Sequence, residues 1–362
     1  MLIGVYSHEH PFEVLNQYRL ESYLKKAFEQ NVELCFFGIE DVDFESNKIL
    51  GDYYENGHWV KKESGFPLVA INEFNQGINK LRYPDKELKL QAEISFTSHL
   101  INNKYEMYCK IKEANLLSHL LIPTKRLRLL SDFYKMMKEN KKLVLKPDNE
   151  AKGNGILVVT KNRSNYSLQE KTITYHLNLK DINKIILNLI EKGNYIIQPF
   201  IKSSTNDGKT FHVRVHLIRN ANAQWIILKV IADIAEQGID ISNYEGVTTI
   251  EGNEFLCENY GKENGDELFK NLQNLAYQFT EHIDSFYPYS LDELAIDFAI
   301  DQKGKIWFFE GNTEPEIIFF KEEREIERAY HIVGYSKRIA QLLTEYPDPT
   351  RKGKYFKIKH RK

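Results

Sequence analysis

The segment of residues 293–312 constrains the fold more than any other part of this 362-residue chain. Apolar residues alternate or cluster on both sides of Gln302-Lys303-Gly304, which has the composition of a tight turn. The pattern predicts two short strands joined by that turn. Because side chains alternate between the two faces of a strand, residues two positions apart leave the same face.

Three side chains on this predicted hairpin carry oxygen atoms that can bind a metal. Asp297 lies on the first strand, and Glu310 and Asn312 lie on one face at the end of the second strand. The hairpin can therefore bring two carboxylates and an amide oxygen to one point, which suits Mg²⁺ and the substrate phosphates it binds. The same spacing equally fits a polar hairpin whose acidic side chains are solvated.

The composition excludes several classes of protein. The chain is long enough for about two or three domains, and its apolar fraction is that of a globular protein, not of a disordered or fibrous one. No apolar run approaches the roughly 18 residues that cross a membrane, and residues 1–6 lack the basic start of a signal peptide. We therefore expect a cytoplasmic protein with no membrane partner. Its few, widely spaced cysteines favour neither a disulfide framework nor a zinc site.

Charge is unevenly distributed along the chain. The formal net charge is −2, but residues 347–362 hold seven Lys or Arg and one acid. A basic tail of this kind can contact nucleic acid or an anionic surface. A solvated terminus is the commoner case, so we disfavour nucleic acid as a partner.

The order of predicted elements indicates packed domains of mixed α and β structure. Residues 1–6, 17–30 and 32–39 predict a strand, a helix and a strand, which is typical of a parallel αβ unit. Asn56-Gly57 predicts a hairpin turn, and Ser131 is predicted to cap a helix.

Two features of the middle of the chain have the chemistry of phosphate binding. Lys146 ends an apolar strand, where an ammonium group is costly unless it reaches an anion or the surface. The turn Lys152-Gly153-Asn154-Gly155 contains two glycines, which let backbone N–H groups approach phosphates closely. The alternatives are a solvated lysine at a strand end and an ordinary hairpin turn.

A later strand places an arginine on its polar face. Arg214 and His216 alternate with apolar residues, so they share one face of the strand. The arginine side chain can bind a phosphate or a carboxylate through its fork of donors. The alternative is a solvent-facing side of the sheet, which we favour slightly for His216.

The order of these features resembles the ATP-grasp superfamily over about residues 120–325: a strand-ending lysine, a glycine turn, Gln198-Pro199, the arginine strand, and then Asp297 with Glu310-x-Asn312. The resemblance implies an α+β fold in which an N-terminal αβ pre-ATP-grasp domain is followed by two α+β subdomains that clasp ATP. The implied division is a leader domain at residues 1–118, a small subdomain at 119–203, a metal-binding subdomain at 204–345 and a basic tail at 346–362.

The same resemblance implies roles for individual residues. The glycine turn resembles the phosphate lid, residues 198–201 resemble the hinge that binds adenine, and Arg214 resembles the arginine that stabilises the transferred phosphoryl group. The implied catalytic residues are Arg214 and Lys146, and the implied magnesium ligands are Asp297, Glu310 and Asn312. The implied ATP contacts are Lys125, Lys146, Lys152, Gly153, Asn154, Gly155, Gln198, Phe200 and Ile201.

The hairpin at residues 52–60, Phe66-Pro67 and Ile122-Pro123-Thr124 look like the YheC/YheD-type ATP-grasp proteins, which are associated with bacterial spore coats. The chain departs from that group at His212, where an acid is usual, and after Asn312. The resemblance implies a Mg²⁺-requiring, ADP-forming ligase that uses ATP to join a carboxylate to an amine through an acyl phosphate, with a peptide as one candidate substrate. It also leaves open a coat-associated nucleotide-binding protein without turnover, and a kinase acting on a small acceptor.

Overall fold

The computed structural model describes residues 1–73, 83–101, 103–149, 153–242, 246–289, 291–313 and 321–346. Lys152 and the basic tail from residue 347 onward, which carried two of the predictions, lie outside these ranges. The described residues form three sheets. None of the helices in these ranges is both long enough and apolar enough to span a lipid bilayer.

The first sheet combines a parallel core with an antiparallel hairpin. Its strands are β1 (Leu2–Tyr6), β2 (Glu33–Phe37), β3 (Val42–Asp43), β4 (Lys48–Glu55), β5 (His58–Gly65), β6 (Val69–Asn72) and β7 (Ser95–Phe96). Their order is β3-β4-β2-β1-β6-β7, with β5 paired to β4. Helices α1 (Pro11–Val14), α2 (Gln17–Glu29) and α3 (Pro84–Glu93) accompany this sheet, whereas α4 (Lys104–Ala114) packs into the core of the third sheet.

Two predictions for this region are confirmed. Strands β1 and β2 are parallel and are connected through α2, as the strand–helix–strand pattern indicated. Strands β4 and β5 form a hairpin that turns at Asn56 and Gly57, whose φ angles are 52° and 86°. Positive φ at both central residues matches the right-handed twist of a hairpin, and Asn-Gly adopts it at low cost.

The second sheet is antiparallel and carries two helices on one face. Its elements are β8 (Lys125–Arg126), α5 (Leu130–Glu139), β9 (Lys142–Pro147), β10 (Leu157–Asn162), β11 (Asn165–Glu170), β12 (Ile173–Leu177), α6 (Leu179–Lys192) and β13 (Tyr195–Pro199). The strand order is β12-β11-β10-β9-β13-β8. The predicted cap of α5 is wrong: Ser131 lies inside the helix, and the Asp132 carboxylate accepts the Leu129 N–H at 2.9 Å instead.

The third sheet is also antiparallel and lies against a long helix. Its elements are β14 (Phe211–Arg219), β15 (Trp225–Ile234), β16 (Thr248–Glu251), α7 (Gly252–Tyr260), α8 (Lys262–Ser285), β17 (Glu293–Ile300) and β18 (Ile306–Asn312), in the strand order β16-β15-β14-β17-β18. The apolar face of β14 shares a core with α8, whereas Arg214 and His216 leave the other face. The predicted hairpin of β17 and β18 is confirmed, and Gly304 has φ +77° at its turn.

The last helix, α9 (Lys321–Glu345), connects the third sheet with the first. Its residues Ala329, Ile332 and Val333 share one buried cluster with Ile3 and Val5 of β1. The apolar faces of α9 and β1 therefore form a shared core, although the two elements are far apart in the sequence. This packing also buries charged groups, because α9 carries arginines and glutamates toward the polar face of the third sheet.

These charged groups form one ion-pair network. The Arg328 guanidinium pairs with Glu293 of β17 at 2.8 Å and with Glu73 at 3.2 Å. His216 Nε2 lies 2.6 Å from Glu293 Oε1, and His216 has no exposed surface. The predicted solvent-facing position of His216 is therefore wrong, because α9 covers that part of the sheet.

Candidate functional site

A cleft opens between the second and third sheets. It encloses about 720 Å³ of empty space, which includes the open solvent at its mouth. One wall comes from β9, β10 and β13, and the other from β14, β17, β18 and residues 240–242. The residues that line the cleft include Ile122, Val144, Lys146, Val158, Gln198, Phe200, Ile201, His212, Asp297, Phe309 and Glu310.

The structure brings the three candidate metal ligands together. Asp297 lies opposite Glu310 in the register of β17 and β18. Asn312 Nδ2 lies 3.0 Å from Glu310 Oε1 and 3.5 Å from Asp297 Oδ2. Burial alone would raise the pKa of Glu310, but the nearby Lys104 and Lys146 ammonium groups hold it well below its usual value. The Glu310 side chain is therefore an anion at neutral pH.

Arg214 lies beside this cluster and is fully paired with one of its acids. Its Nε donates to Asp297 Oδ1 at 2.7 Å and its Nη2 donates to Asp297 Oδ2 at 2.8 Å. Burial would lower the pKa of the guanidinium, but the Asp297 carboxylate raises it above its usual value. Arg214 therefore stays cationic, and its predicted solvent-facing alternative is wrong because the residue is 8% exposed.

Lys146 lies at the end of β9 and points into the cleft. It is 8% exposed, so the alternative of a solvated strand-end lysine is wrong. Burial lowers the pKa of its ammonium group to about 8. The negative charge of Glu310 acts against this shift more than any other nearby group. A partly desolvated cation in this position gains from any additional anion in the cleft.

Lys104 belongs to the same cluster, and the sequence patterns missed it. Its Nζ lies 3.1 Å from Glu310 Oε2. The start of α4 is fixed by Asp148, whose backbone oxygen accepts the Lys104 N–H at 3.1 Å and whose Oδ1 accepts the Tyr105 N–H at 2.7 Å. A lysine in the first turn of a helix faces the positive end of the helix dipole, and that unfavourable placement next to the capping Asn103 was the available signal.

Other predicted nucleotide contacts lie elsewhere. Lys125 is exposed on β8 and does not line the cleft, so its role stays a prediction. Gly153, Asn154 and Gly155 form a turn between β9 and β10 that lies outside the lining, although the next residue belongs to it. The φ angles of +68° at Gly153 and +70° at Gly155 explain why glycine is needed at both positions.

The predicted hinge residues Gln198, Phe200 and Ile201 do line the cleft. The Phe200 N–H donates to the Lys142 carbonyl at 3.0 Å, which continues the pairing of β13 with β9. Within the described ranges, no protein group bonds to the Phe200 carbonyl or to the Ile201 N–H. One backbone acceptor and one backbone donor are thus left at the edge of the cleft.

The donor set fits Mg²⁺ in type and in number. Two carboxylates and an amide group that lies within 3.5 Å of each carboxylate carry hard oxygen ligands. Mg²⁺ is usually held by one or two carboxylates together with phosphates and waters. Among the described residues, no group of three His, Cys, Asp or Glu side chains is arranged to hold a metal. A metal in this cleft therefore depends on Asn312 or on oxygen atoms of a bound ligand for further contacts.

Two curated relatives match most of the chain. The Bacillus subtilis endospore coat-associated protein YheD is 24% identical over an alignment that covers 93% of this chain and 76% of YheD. The B. subtilis endospore coat-associated protein YheC is 18% identical, and the alignment covers 80% of this chain and 83% of YheC.

Solved structures show the same fold at low sequence identity. D-cycloserine synthetase DcsG superposes with a TM-score of 0.54 at 11% identity, covering 95% of this chain and all of that one. The ADP complex of purK, N5-carboxyaminoimidazole ribonucleotide synthetase, gives 0.54 at 12% identity, covering 92% and 76%. D-alanyl-alanine synthetase A from Vibrio cholerae gives 0.50 at 15% identity, covering 95% and 97%. These likenesses confirm the predicted α+β ATP-grasp fold.

The family itself is established by sequence. Residues 93–343 match the family described as YheC/D like ATP-grasp. This range includes both faces of the cleft and the cluster around Glu310. The predicted resemblance is thereby confirmed over more than half of the chain, and the protein belongs to the YheC/D-like ATP-grasp family.

Proposed function

We propose that this protein is a Mg²⁺-requiring, ADP-forming ligase that uses ATP to join a carboxylate to an amine. The observation that carries the proposal is the convergence of Lys104, Lys146 and Arg214 on Asp297 and Glu310 at one end of the cleft. Phosphoryl transfer depends mainly on positioned cations that neutralise the phosphate oxygens, and such a cluster supplies them.

The rest of the cleft supports a nucleotide whose phosphates reach this cluster. Val144 and Lys146 leave the same face of β9, so an apolar wall lies directly beside the cationic end. Val158 lies opposite Val144 in the register of β10 and β9 and extends that wall. A purine fits between such apolar residues, and its polar edge can pair with the Phe200 carbonyl and the Ile201 N–H, to which none of the described residues bonds.

The chemistry follows from the poor reactivity of a carboxylate. One carboxylate oxygen attacks the γ-phosphorus of ATP, the bond to the β-phosphate oxygen breaks, and ADP leaves an acyl phosphate behind. An amine then attacks the acyl carbon, phosphate leaves, and the amine gives up a proton as the amide forms. Lys146 and Arg214 stabilise the charge on the transferred group in the first step.

Magnesium, when bound with ATP, neutralises charge on the phosphate oxygens and helps to orient them. Asp297, Glu310 and Asn312 are the residues that would hold it. Their present partners, Arg214 and Lys104, lie at 2.7 Å and 3.1 Å and can turn to the phosphates instead. The same side chains thus serve the acids in the free protein and the nucleotide in the complex.

The comparisons support the reaction class and suggest where to look for the substrate. The solved structures with this fold and a TM-score of at least 0.50 include proteins named as synthetases. The relatives YheD and YheC are named endospore coat-associated proteins, which favours a spore-linked role. A peptide carboxylate is the first substrate that we would test. The same names favour the second candidate, a nucleotide-binding coat protein without turnover.

Thermal unfolding with Mg²⁺ and each nucleotide, followed by an assay of ADP release, tests the proposal. A ligand at one hundred times its dissociation constant stabilises the native state by roughly 2.7 kcal/mol, so ATP should raise the unfolding temperature. ADP release that requires both a carboxylate and an amine supports the ligase. Binding without release supports the coat protein, release without an amine supports a kinase, and no binding at millimolar ATP overturns the nucleotide site.

A pair of lysine variants tests the assignment of the cleft. Lys104→Met removes a cation that the structure places beside Glu310, whereas Lys125→Met removes an exposed one. A hydrogen bond to a charged group contributes about 1.5–3 kcal/mol, so Lys104→Met should weaken ATP binding by roughly 10- to 100-fold. Lys125→Met should bind ATP like the wild type. Calorimetric titration measures the ATP affinity of both variants. The reverse pattern would mean that Lys125, and not Lys104, contacts ATP.

A further inference from the structure

Thr124 holds the hinge residue Gln198 through a short buried chain of hydrogen bonds. The Thr124 hydroxyl donates to the Ile122 carbonyl at 2.8 Å. Gln198 Nε2 lies 2.6 Å from the same hydroxyl oxygen. Thr124 is 5% exposed and Gln198 is 8% exposed, so water has little access to either contact.

The two hydrogen bonds of the Thr124 hydroxyl fix the orientation of the Gln198 amide. A hydroxyl group has one proton and a carbonyl can only accept, so the proton of Thr124 is committed to Ile122. The Thr124 oxygen can then only accept from Gln198, which requires the amide nitrogen to face it. The opposite orientation would place two acceptors against each other in a buried position.

The fixed orientation leaves the amide oxygen of Gln198 on the side away from Thr124. Gln198 lines the cleft and pairs with Val144 in the register of β13 and β9, so this oxygen lies at the apolar end of the cleft. In the described part of the chain no group donates a hydrogen bond to Gln198 Oε1. An acceptor with no protein donor is suited to a ligand that brings a donor.

We propose that Thr124 makes the nucleotide site selective for adenine by locking the Gln198 amide with its oxygen toward the base. This inference rests on the proposed nucleotide site. Adenine carries an exocyclic amine, which donates to an amide oxygen. Guanine carries a carbonyl oxygen at the same ring position, so it would set an acceptor against the Gln198 oxygen and leave both unpaired. Thr124 is a positioning residue, because it acts on the base through Gln198.

The test compares Thr124→Val with the matched control Thr124→Ser. Valine keeps the shape of threonine and removes the hydroxyl, so the Gln198 amide is free to turn. Serine keeps the hydroxyl and with it the lock. Dissociation constants for Mg-ATP and Mg-GTP are measured by calorimetry on the full chain of the wild type and both variants. The readout is the ratio of the two constants, which a merely structural defect would leave unchanged.

We expect the wild type and Thr124→Ser to prefer ATP, and we expect Thr124→Val to lose roughly 10- to 100-fold of that preference, mainly by binding GTP more tightly. An unchanged ratio in Thr124→Val overturns the proposal. A wild type that binds both nucleotides equally also overturns it, but that result leaves the proposed nucleotide site in place. A wild type that binds neither overturns both. If Thr124→Val does not fold, Gln198→Leu, which removes the acceptor, must show the same loss of preference.

Discussion

Replacing Glu310 with glutamine is expected to abolish magnesium-dependent ATP turnover while the protein stays folded. The Glu310 carboxylate lies opposite Asp297, 3.1 Å from the Lys104 ammonium and 3.0 Å from the Asn312 amide. It is also the first of the anions that act on the Lys146 ammonium. Glutamine keeps the shape and removes the charge. Loss of a metal-binding charge removes several kcal/mol of transition-state stabilisation, and about 4 kcal/mol corresponds to roughly a thousandfold loss of rate.

The fold should survive this substitution because one of the neighbouring cations can lose its proton. The pKa of Lys146 is already lowered to about 8, and Glu310 is the first of the groups that hold it up. Without that carboxylate the pKa of Lys146 falls further, and the neutral amine avoids the cost of an unpaired buried charge. The Lys104 side chain is 18% exposed, so its ammonium group can turn toward solvent.

Glu251→Gln is the matched control for Glu310→Gln. Glu251 lies on β16 of the same sheet and pairs with Lys229 at 2.9 Å, but both side chains are about one-third exposed. Its loss should leave ADP release unchanged and lower stability by at most about 1 kcal/mol. ADP release and thermal unfolding are measured on both variants. Turnover of Glu310→Gln at the wild-type rate would exclude the proposed metal site.

The sequence predicted the hairpin of β17 and β18 because its signal is local. Alternating apolar residues and a glycine turn lie within 20 consecutive positions, so no distant contact is needed to recognise them. The three side chains on this hairpin meet in the structure for the same reason. Their assignment as metal ligands comes from the resemblance to the ATP-grasp superfamily and stays a prediction.

The contributions of distant elements to the site could not be predicted in this way. Lys104 reaches Glu310 because α4 packs beside β18, and its unusual place in the first turn of a helix does not identify the distant acid that it contacts. The burial of His216 could not be predicted for the same reason, because a distant helix causes it. Periodicity identified the face of β14 that His216 shares with Arg214, but it could not show that α9 covers that face.

Strands β11 and β12 were not predicted, although their local pattern allowed it. Tyr166 and Leu168 of β11, and Ile173, Tyr175 and Leu177 of β12, alternate with polar residues. Strand β11 pairs antiparallel with β10, and β12 pairs antiparallel with β11 at the edge of the sheet. Because β12 is exposed along most of its length, backbone hydrogen bonds hold it more than burial does.

Replacing Glu293 with glutamine is expected to cause the largest loss of stability among single charge-removing substitutions of the buried ion-pair network. Glu293 is 1% exposed and receives Arg328 at 2.8 Å and His216 at 2.6 Å. Removing one partner of a buried pair leaves the other charge uncompensated, which costs roughly 3–5 kcal/mol. Arg328 also holds Glu73 and the Tyr23 hydroxyl, so the loss loosens the contact of α9 with the first sheet.

The effect of Glu293→Gln should depend on pH in a defined direction. Burial would raise the pKa of Glu293, but Arg328 and His216 lower it below its usual value. A carboxyl whose pKa is lower in the folded state contributes stability above its unfolded pKa of about 4.3 and loses that contribution as the pH falls below it. The difference in stability between the wild type and Glu293→Gln should therefore be full at pH 7 and shrink as the pH falls from about 5 toward 2.

Urea unfolding of both proteins at several pH values measures this difference. Glu63→Gln is the control, because Glu63 pairs with Lys48 at 2.9 Å on the surface of the first sheet and both side chains are half exposed. A surface pair of this kind contributes about 0–1 kcal/mol, so the control should unfold nearly like the wild type at every pH. A loss in Glu293→Gln no larger than in Glu63→Gln would mean that Arg328 finds another partner, and that the network does not hold α9 against the two sheets.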